Sequence, residues 1–186
     1  MTKAVFLDRD GVINENRPDH VKSWAEFSFL PGVLDGIARL SEAGVHVFVI
    51  SNQAIVNRGV VSRESVDAIN QRMIDEIRRW GGNVDAVAYC PHRPEERCGC
   101  RKPEPGLLLG LARLHGLDLK DAVVIGDAMT DVDAAHAAGC KAILVETGRG
   151  SEQLAMATAA GRNGFAVARD LSGAVELLLG ASTVAA

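Results

Sequence analysis

Short runs of consecutive apolar residues alternate along this chain with longer stretches whose apolar positions recur at helical spacing. Residues 4–8, Ala-Val-Phe-Leu-Asp, form a strand-like run broken by Arg9-Asp10-Gly11. Pro31-Gly32 opens a helix through Ala43, with Val33, Leu34, Ile37 and Leu40 on one face, and Gly44 ends it. Residues 45–50 read as a second strand. Ser62 is the expected cap of a long helix ending near Gly81-Gly82. Residues 84–89 read as a third strand, 105–115 as a Leu-rich helix stopped by Gly116, and 122–125 as a fourth strand. A short Ala-rich helix over 131–138 closes at Gly139, and a fifth strand follows at 141–145. A weak strand near 165–167 and a helix over 171–179 complete the pattern, and residues 181–186 are expected to fray. Strands that are apolar throughout, separated by helices, predict an α/β protein with a parallel sheet covered on both faces. No repeat or linker divides the chain, so residues 1–186 are expected to form one domain. Any cover over a site has to come from the loops at 12–30 and 90–104.

Composition narrows the function classes. With 47% apolar and 24% charged residues, the chain has the balance of a globular domain. Four Cys in 186 residues are too few for a disulfide scaffold. No apolar run reaches the ~18 residues of a membrane span, and the first residues lack a signal-peptide core. A cytoplasmic location without membrane contact is expected. A net charge of −4 leaves no basic footprint for nucleic acid. An anionic small-molecule substrate needs only a local positive pocket. No broad apolar helix face is evident, so the expected state is a monomer.

Open α/β sheets bind ligands at the carboxyl ends of their strands. There the first strand presents Asp8 and Asp10, the second Ser51 and Asn52, and the fourth Asp127 followed by Asp131. The third leads through a Cys-rich loop to Arg101 and Lys102. Each has an ordinary reading alone: a surface turn, helix N-terminal acids, a strand-end hydroxyl, a solvated lysine. Together they describe phosphoryl chemistry. The Asp8-Arg9-Asp10-Gly11 turn and Asp127 suit Mg²⁺, which takes carboxylate oxygens and keeps water and substrate phosphate in its shell. A carboxylate such as Asp8 is already ionised and can attack phosphorus, forming an aspartyl phosphate. Mg²⁺ and Lys102 would offset the repulsion between anions. Asp10 suits protonation of the leaving oxygen and then activation of water, and Ser51 can bond a phosphoryl oxygen.

Asp8-Arg9-Asp10-Gly11-Val12, Val49-Ile50-Ser51-Asn52, Arg101-Lys102-Pro103 and Gly126-Asp127-x-x-x-Asp131 resemble the four motifs of the haloacid dehalogenase (HAD) superfamily, over about residues 4–147. The resemblance implies a three-layer Rossmann-like (HAD-like) sheet without a separate cap domain. It implies Asp8 as nucleophile, Asp10 as general acid/base, and Ser51 and Lys102 as phosphoryl ligands. Mg²⁺ would be held by Asp8, the Asp10 backbone carbonyl and Asp127.

The loop from Cys90 to Lys102 carries Cys90-x-His92, five residues, then Cys98-x-Cys100. Three thiolates and an imidazole form a closed tetrahedral Zn²⁺ set, which points to a structural role. The plainer alternative is three reduced thiols near a surface histidine. Cys140 stands apart and reads as a core residue. This loop before Arg-Lys-Pro is similar to that of the D-glycero-D-manno-heptose-1,7-bisphosphate phosphatases and the related histidinol-phosphatase domains. The heptose group removes the C7 phosphate and leaves the C1 phosphate for nucleotide activation. By that resemblance substrate contacts fall on Asn16, Arg17, Pro18 and Asp19, on Ser51, Asn52, Gln53 and Ala54, and on Arg101 and Lys102. The chain departs from the group at Pro18-Asp19-His20-Val21, at Ile55, and at Ala128, where a Lys or Arg is usual. Those departures keep histidinol phosphate or another small metabolite open as substrates. A catalytically silent HAD-fold binding protein and a DNA 3′-end phosphatase are the readings from other classes. The intact acidic set argues against the first and the missing basic stripe against the second.

Overall fold

The computed structural model describes residues 2–180, so the terminal segment expected to fray lies outside the described residues. Six strands make one parallel sheet: β1 (Ala4–Leu7), β2 (His46–Asn52), β3 (Ala86–Cys90), β4 (Ala122–Gly126), β5 (Lys141–Val145) and β6 (Ala166–Ala168). Their order is β3-β2-β1-β4-β5-β6. Val5 and Leu7 face one side of the sheet with Val47, Val49, Val123 and Ile125. That side packs on α1 (Val33–Glu42), α2 (Arg63–Arg79) and α6 (Leu171–Gly180). Ala4 and Phe6 face the other side with Phe48, Ile50 and Val124, under α3 (Gly106–His115), α4 (Met129–Ala138) and α5 (Gly150–Ala159). A period of two along each strand thus feeds both helical layers, which is why the strands read as unbroken apolar runs.

Local signals set the element ends. Ser62 caps α2, its Oγ accepting from the Ser65 N–H at 3.2 Å. Residues 146–164 carry no predicted element, and the structure places α5 there. Only Gly150 and Ala157 of that helix are buried, and Met156 faces solvent. No apolar stripe is present for a periodicity argument to detect. Trp24 and Phe27 stack with ring centroids 4.9 Å apart, and the 12–30 loop is pinned to the body by Phe27, buried in the core cluster on the α1 side, with Trp24 packed against it. Cys140 is buried in the core. No helix among the described residues is long and apolar enough to cross a membrane.

The connectivity locates the crevice. The chain steps outward from β1 to β2 and β3, then returns to the other side of β1 for β4. Loops leaving β1 and β4 therefore part in opposite directions, and a cleft opens between them at the carboxyl ends of the strands.

Candidate active site

Asp8 follows β1 directly at that switch point. Its N–H donates to Ile125 O at 2.9 Å, which continues the β1–β4 pairing by one residue. The chain then turns sharply, with the N–H groups of Ile13 and Asn14 both donating to Arg9 O. Gly11 is required in this turn: its φ is +96°, and a Cβ there would collide with the Asp127 carboxylate. Thr147 Oγ1 ties the turn to the far loop through Gly11 O at 2.6 Å.

Lys102 spans the floor of the cleft. Its Nζ lies 2.9 Å from Asp8 Oδ1 and 2.6 Å from Asp131 Oδ1, and donates to Ile50 O at 3.2 Å. Burial pulls its pKa down, but the charges of Asp131 and Asp8 outweigh that and leave it raised, so the ammonium is retained. Burial pushes Asp8 up to about 6, with Asp131 and Asp10 adding to the rise and Lys102 opposing it. Asp127, fully buried at the end of β4, is raised by its burial and by Asp8. It is steadied by the Arg149 N–H at 2.9 Å. Asp131, in the first turn of α4, accepts the Ala128 N–H at 3.1 Å.

Asp10 points elsewhere. Arg9, Asn14 and Gln53 all donate to its carboxylate, Gln53 at 2.6 Å. Burial pushes its pKa up, but the Arg9 charge and these hydrogen bonds prevail and hold it below the usual carboxylate range. Gln53 also donates to Ser51 Oγ at 2.7 Å. The Asn52 amide is used on the backbone of Lys102, accepting from its N–H at 3.1 Å and donating to its carbonyl at 3.0 Å.

A cavity of about 380 Å³ opens over these groups. Of the residues expected from sequence, Asp8, Asp10, Asn16, Ser51, Asn52, Arg101 and Lys102 line it. Arg17, Pro18, Asp19, Gln53 and Ala54 do not; Arg17 and Lys22 pair with Asp19 at the surface instead. His20, Thr130, Asp131 and Arg149 also line it; of these the sequence singles out Asp131 among the strand-end acids, without a role, and none of the other three is expected at the site. Asp131 has a sequence signal in its spacing from Asp127. Arg149 follows the end of β5, beyond the strand ends whose residues form the four motifs.

Two clusters suit metal ions. Ligand atoms of Asp8, Asp127 and Asp131 lie within 4.8 Å of one another, an all-oxygen set of the kind Mg²⁺ takes. The Asp10 carboxylate is not in that cluster, consistent with an expected contribution through its backbone carbonyl only. Cys90, His92, Cys98 and Cys100 form the second. Cys90 Sγ lies 3.5 Å from Cys98 Sγ, 3.4 Å from Cys100 Sγ and 3.4 Å from His92 Nδ1. A tetrahedron with metal–sulfur bonds of about 2.3 Å has edges of about 3.8 Å. The donor set fits Zn²⁺ after a small expansion. The same loop aims Arg101, whose Nη1 donates to His92 O at 3.2 Å.

Comparison with known proteins agrees with this geometry. A family model described as HAD-hydrolase-like matches residues 99–174. A Bordetella bronchiseptica protein named D-glycero-beta-D-manno-heptose-1,7-bisphosphate 7-phosphatase is 40% identical over 177 residues, 95% of this chain and 98% of its own length. The chain belongs to the HAD phosphatases. A second relative of the same name, from Pseudomonas aeruginosa, is 39% identical over 150 residues, 81% of this chain and 84% of its own length. The crystal structure of the B. bronchiseptica D,D-heptose 1,7-bisphosphate phosphatase, complexed with magnesium and phosphate, superposes with a TM-score of 0.91. It covers 97% of this chain and 99% of its own at 40% identity. As a HAD phosphatase this chain is a phosphoric monoester hydrolase of the aspartyl-phosphate type.

Proposed function

We propose that this enzyme removes the C7 phosphate of D-glycero-D-manno-heptose 1,7-bisphosphate. The supporting observation is the placement of cations in one cleft. Lys102 lies buried beside Asp8 on the floor, and Arg101 stands on the wall, both delivered by the Cys/His loop. The floor suits the scissile phosphate. The Arg101 fork suits a second, distal phosphate. The similarly built relatives carry heptose bisphosphate names.

In this reading Asp8 attacks phosphorus as the bond to the bridging oxygen breaks, and Asp10 gives that oxygen its proton. Water then attacks the aspartyl phosphate while Asp10 takes its proton, releasing inorganic phosphate and restoring Asp8. Arg9, Asn14 and Gln53 hold Asp10 ionised in the free enzyme; an anionic phosphate docked beside it favours the protonated form. Lys102 and Ser51 steady the phosphoryl oxygens. Magnesium, held by Asp8, Asp127 and the Asp10 carbonyl with Asp131 behind them, would supply electrostatic neutralisation of the phosphoryl group. Zinc on Cys90, His92, Cys98 and Cys100 would stiffen the loop. The working unit is a single-domain cytoplasmic monomer that binds neither nucleic acid nor membrane.

The test is kcat/KM with Mg²⁺ for both anomers of heptose 1,7-bisphosphate and for histidinol phosphate, side by side. The proposal expects the heptose to be preferred by at least about a hundredfold, with phosphate leaving C7. A preference for histidinol phosphate, or weak turnover of all three, would overturn it and make Ala128 and the Pro18-Asp19-His20 turn the marks of another substrate.

A further inference from the structure

Helix α2 buries one amide among apolar neighbours. Val66, Ile69, Met73 and Ile77 face the core, and Asn70 is buried with them. An amide there costs free energy unless it finds a partner. Its Oδ1 accepts from Arg9 Nη1 at 3.1 Å.

Arg9 is only 1% exposed, and it does not line the cleft. Its Nη2 donates to both oxygens of Asp10, at 3.2 and 3.0 Å, while Nε has no partner. A buried guanidinium held only for stability is a poor bargain, since apolar residues of similar volume serve as well. Its value lies in its geometry. The guanidinium is planar and rigid, so an acceptor fixed at one nitrogen sets the direction of the other. Here one nitrogen reaches a helix and the other reaches the acid/base.

We propose that Asn70 and Arg9 form a positioning pair for Asp10. Asn70 anchors the guanidinium to α2, and the guanidinium sets the carboxylate at the angle from which it serves the leaving oxygen. Gln53 and Asn14 also bond this carboxylate, at 2.6 and 2.9 Å, but they rise from loops beside the cleft. The link through Arg9 and Asn70 is the one that runs to a helix. The inference rests on the acid/base role given to Asp10 above.

A misplaced acid has a signature that general loosening lacks. An alkoxide leaving group needs a proton as it departs, whereas p-nitrophenolate does not. The test compares kcat/KM of Asn70→Leu on the best alkyl phosphate of the substrate panel and on p-nitrophenyl phosphate, with Asp10→Asn as reference. Asp10→Asn is expected to lose about a hundredfold or more on the alkyl ester and far less on the aryl ester. Asn70→Leu is expected to lose about tenfold on the alkyl ester through kcat, with KM little changed, and less than about threefold on the aryl ester. Asn70→Ser, which removes bulk rather than adding it, carries the same expectation if the leucine variant fails to fold. Equal losses on both esters, or no loss, in the Asn70 variants alone overturn the pair. Equal losses in Asp10→Asn overturn the role of Asp10 and the pair with it. Circular dichroism and thermal melts establish that each variant is folded.

Discussion

At Asp8 burial and charge act in opposition. Burial raises it to about 6 while Lys102 draws it down. A carboxyl whose folded pKa exceeds its unfolded value stabilises the fold while protonated and loses that contribution as pH rises through the folded value. In the metal-free protein this loss falls between the ordinary carboxylate range and about pH 6. Magnesium needs the ionised form, so it competes with the proton. Added Mg²⁺ should therefore raise Tm more at about pH 7.5 than at about pH 5, with affinity by calorimetry falling over the same interval. An affinity independent of pH across that interval would contradict the placement of Asp8 in the metal cluster. Asp8 and Asp127 are legible in the sequence because each directly follows a strand, where the backbone fixes its address, and Lys102 because it closes the Cys/His loop that leaves β3. The uses of Asn52 and Gln53 are not legible. Strand-end polarity shows that an amide is near the site, but not that it bonds the Lys102 backbone or the Asp10 carboxylate. Those depend on side-chain directions that only tertiary packing determines.

At the scale of elements, the Cys/His loop shows how spacing alone can carry a structural statement. Cys90 ends β3, and the remaining three ligands return to it within ten residues. Cys98→Ser should lose zinc and lower Tm by roughly 5–10 °C, corresponding to about 2–3 kcal/mol in a chain of this size. It should also raise KM about tenfold, because Arg101 is held by the His92 carbonyl. Zinc analysis, thermal melts and steady-state kinetics check the three effects. Zinc-free wild-type protein of full stability would remove the structural role. Helix α5 is the opposite case: with so few buried residues, its sequence gives no stripe to find. It forms on the outer layer after β5, and the loop before it brings Arg149 to Asp127. Arg149 thus reaches the cleft from a loop that the pattern of apolar residues does not mark.

For the whole molecule, one topological fact organises the chemistry. The sheet grows outward from β1 in two directions, so the residues after β1 and β4 meet at the only point where their loops separate. Four motifs spread over more than a hundred residues converge there because each ends a strand or leads from one. The alternation of apolar runs with helices makes this sheet legible from the sequence, down to which strand ends share a cleft. The side of the cleft built from 12–30 is less so. Asn16 and His20 reach the cavity, while Arg17 and Asp19 pair at the surface, in a segment that turns at His20, whose φ is +61°.

All of this converges on a covalent role for Asp8. The most direct test is turnover by Asp8→Asn, which keeps the size of the side chain and removes the attacking charge. Folded Asp8→Asn, with a melting profile like the native enzyme, should lose kcat by at least about a thousandfold on the best substrate. A folded Asp8→Asn protein that still turns over at near-native rate would contradict the account.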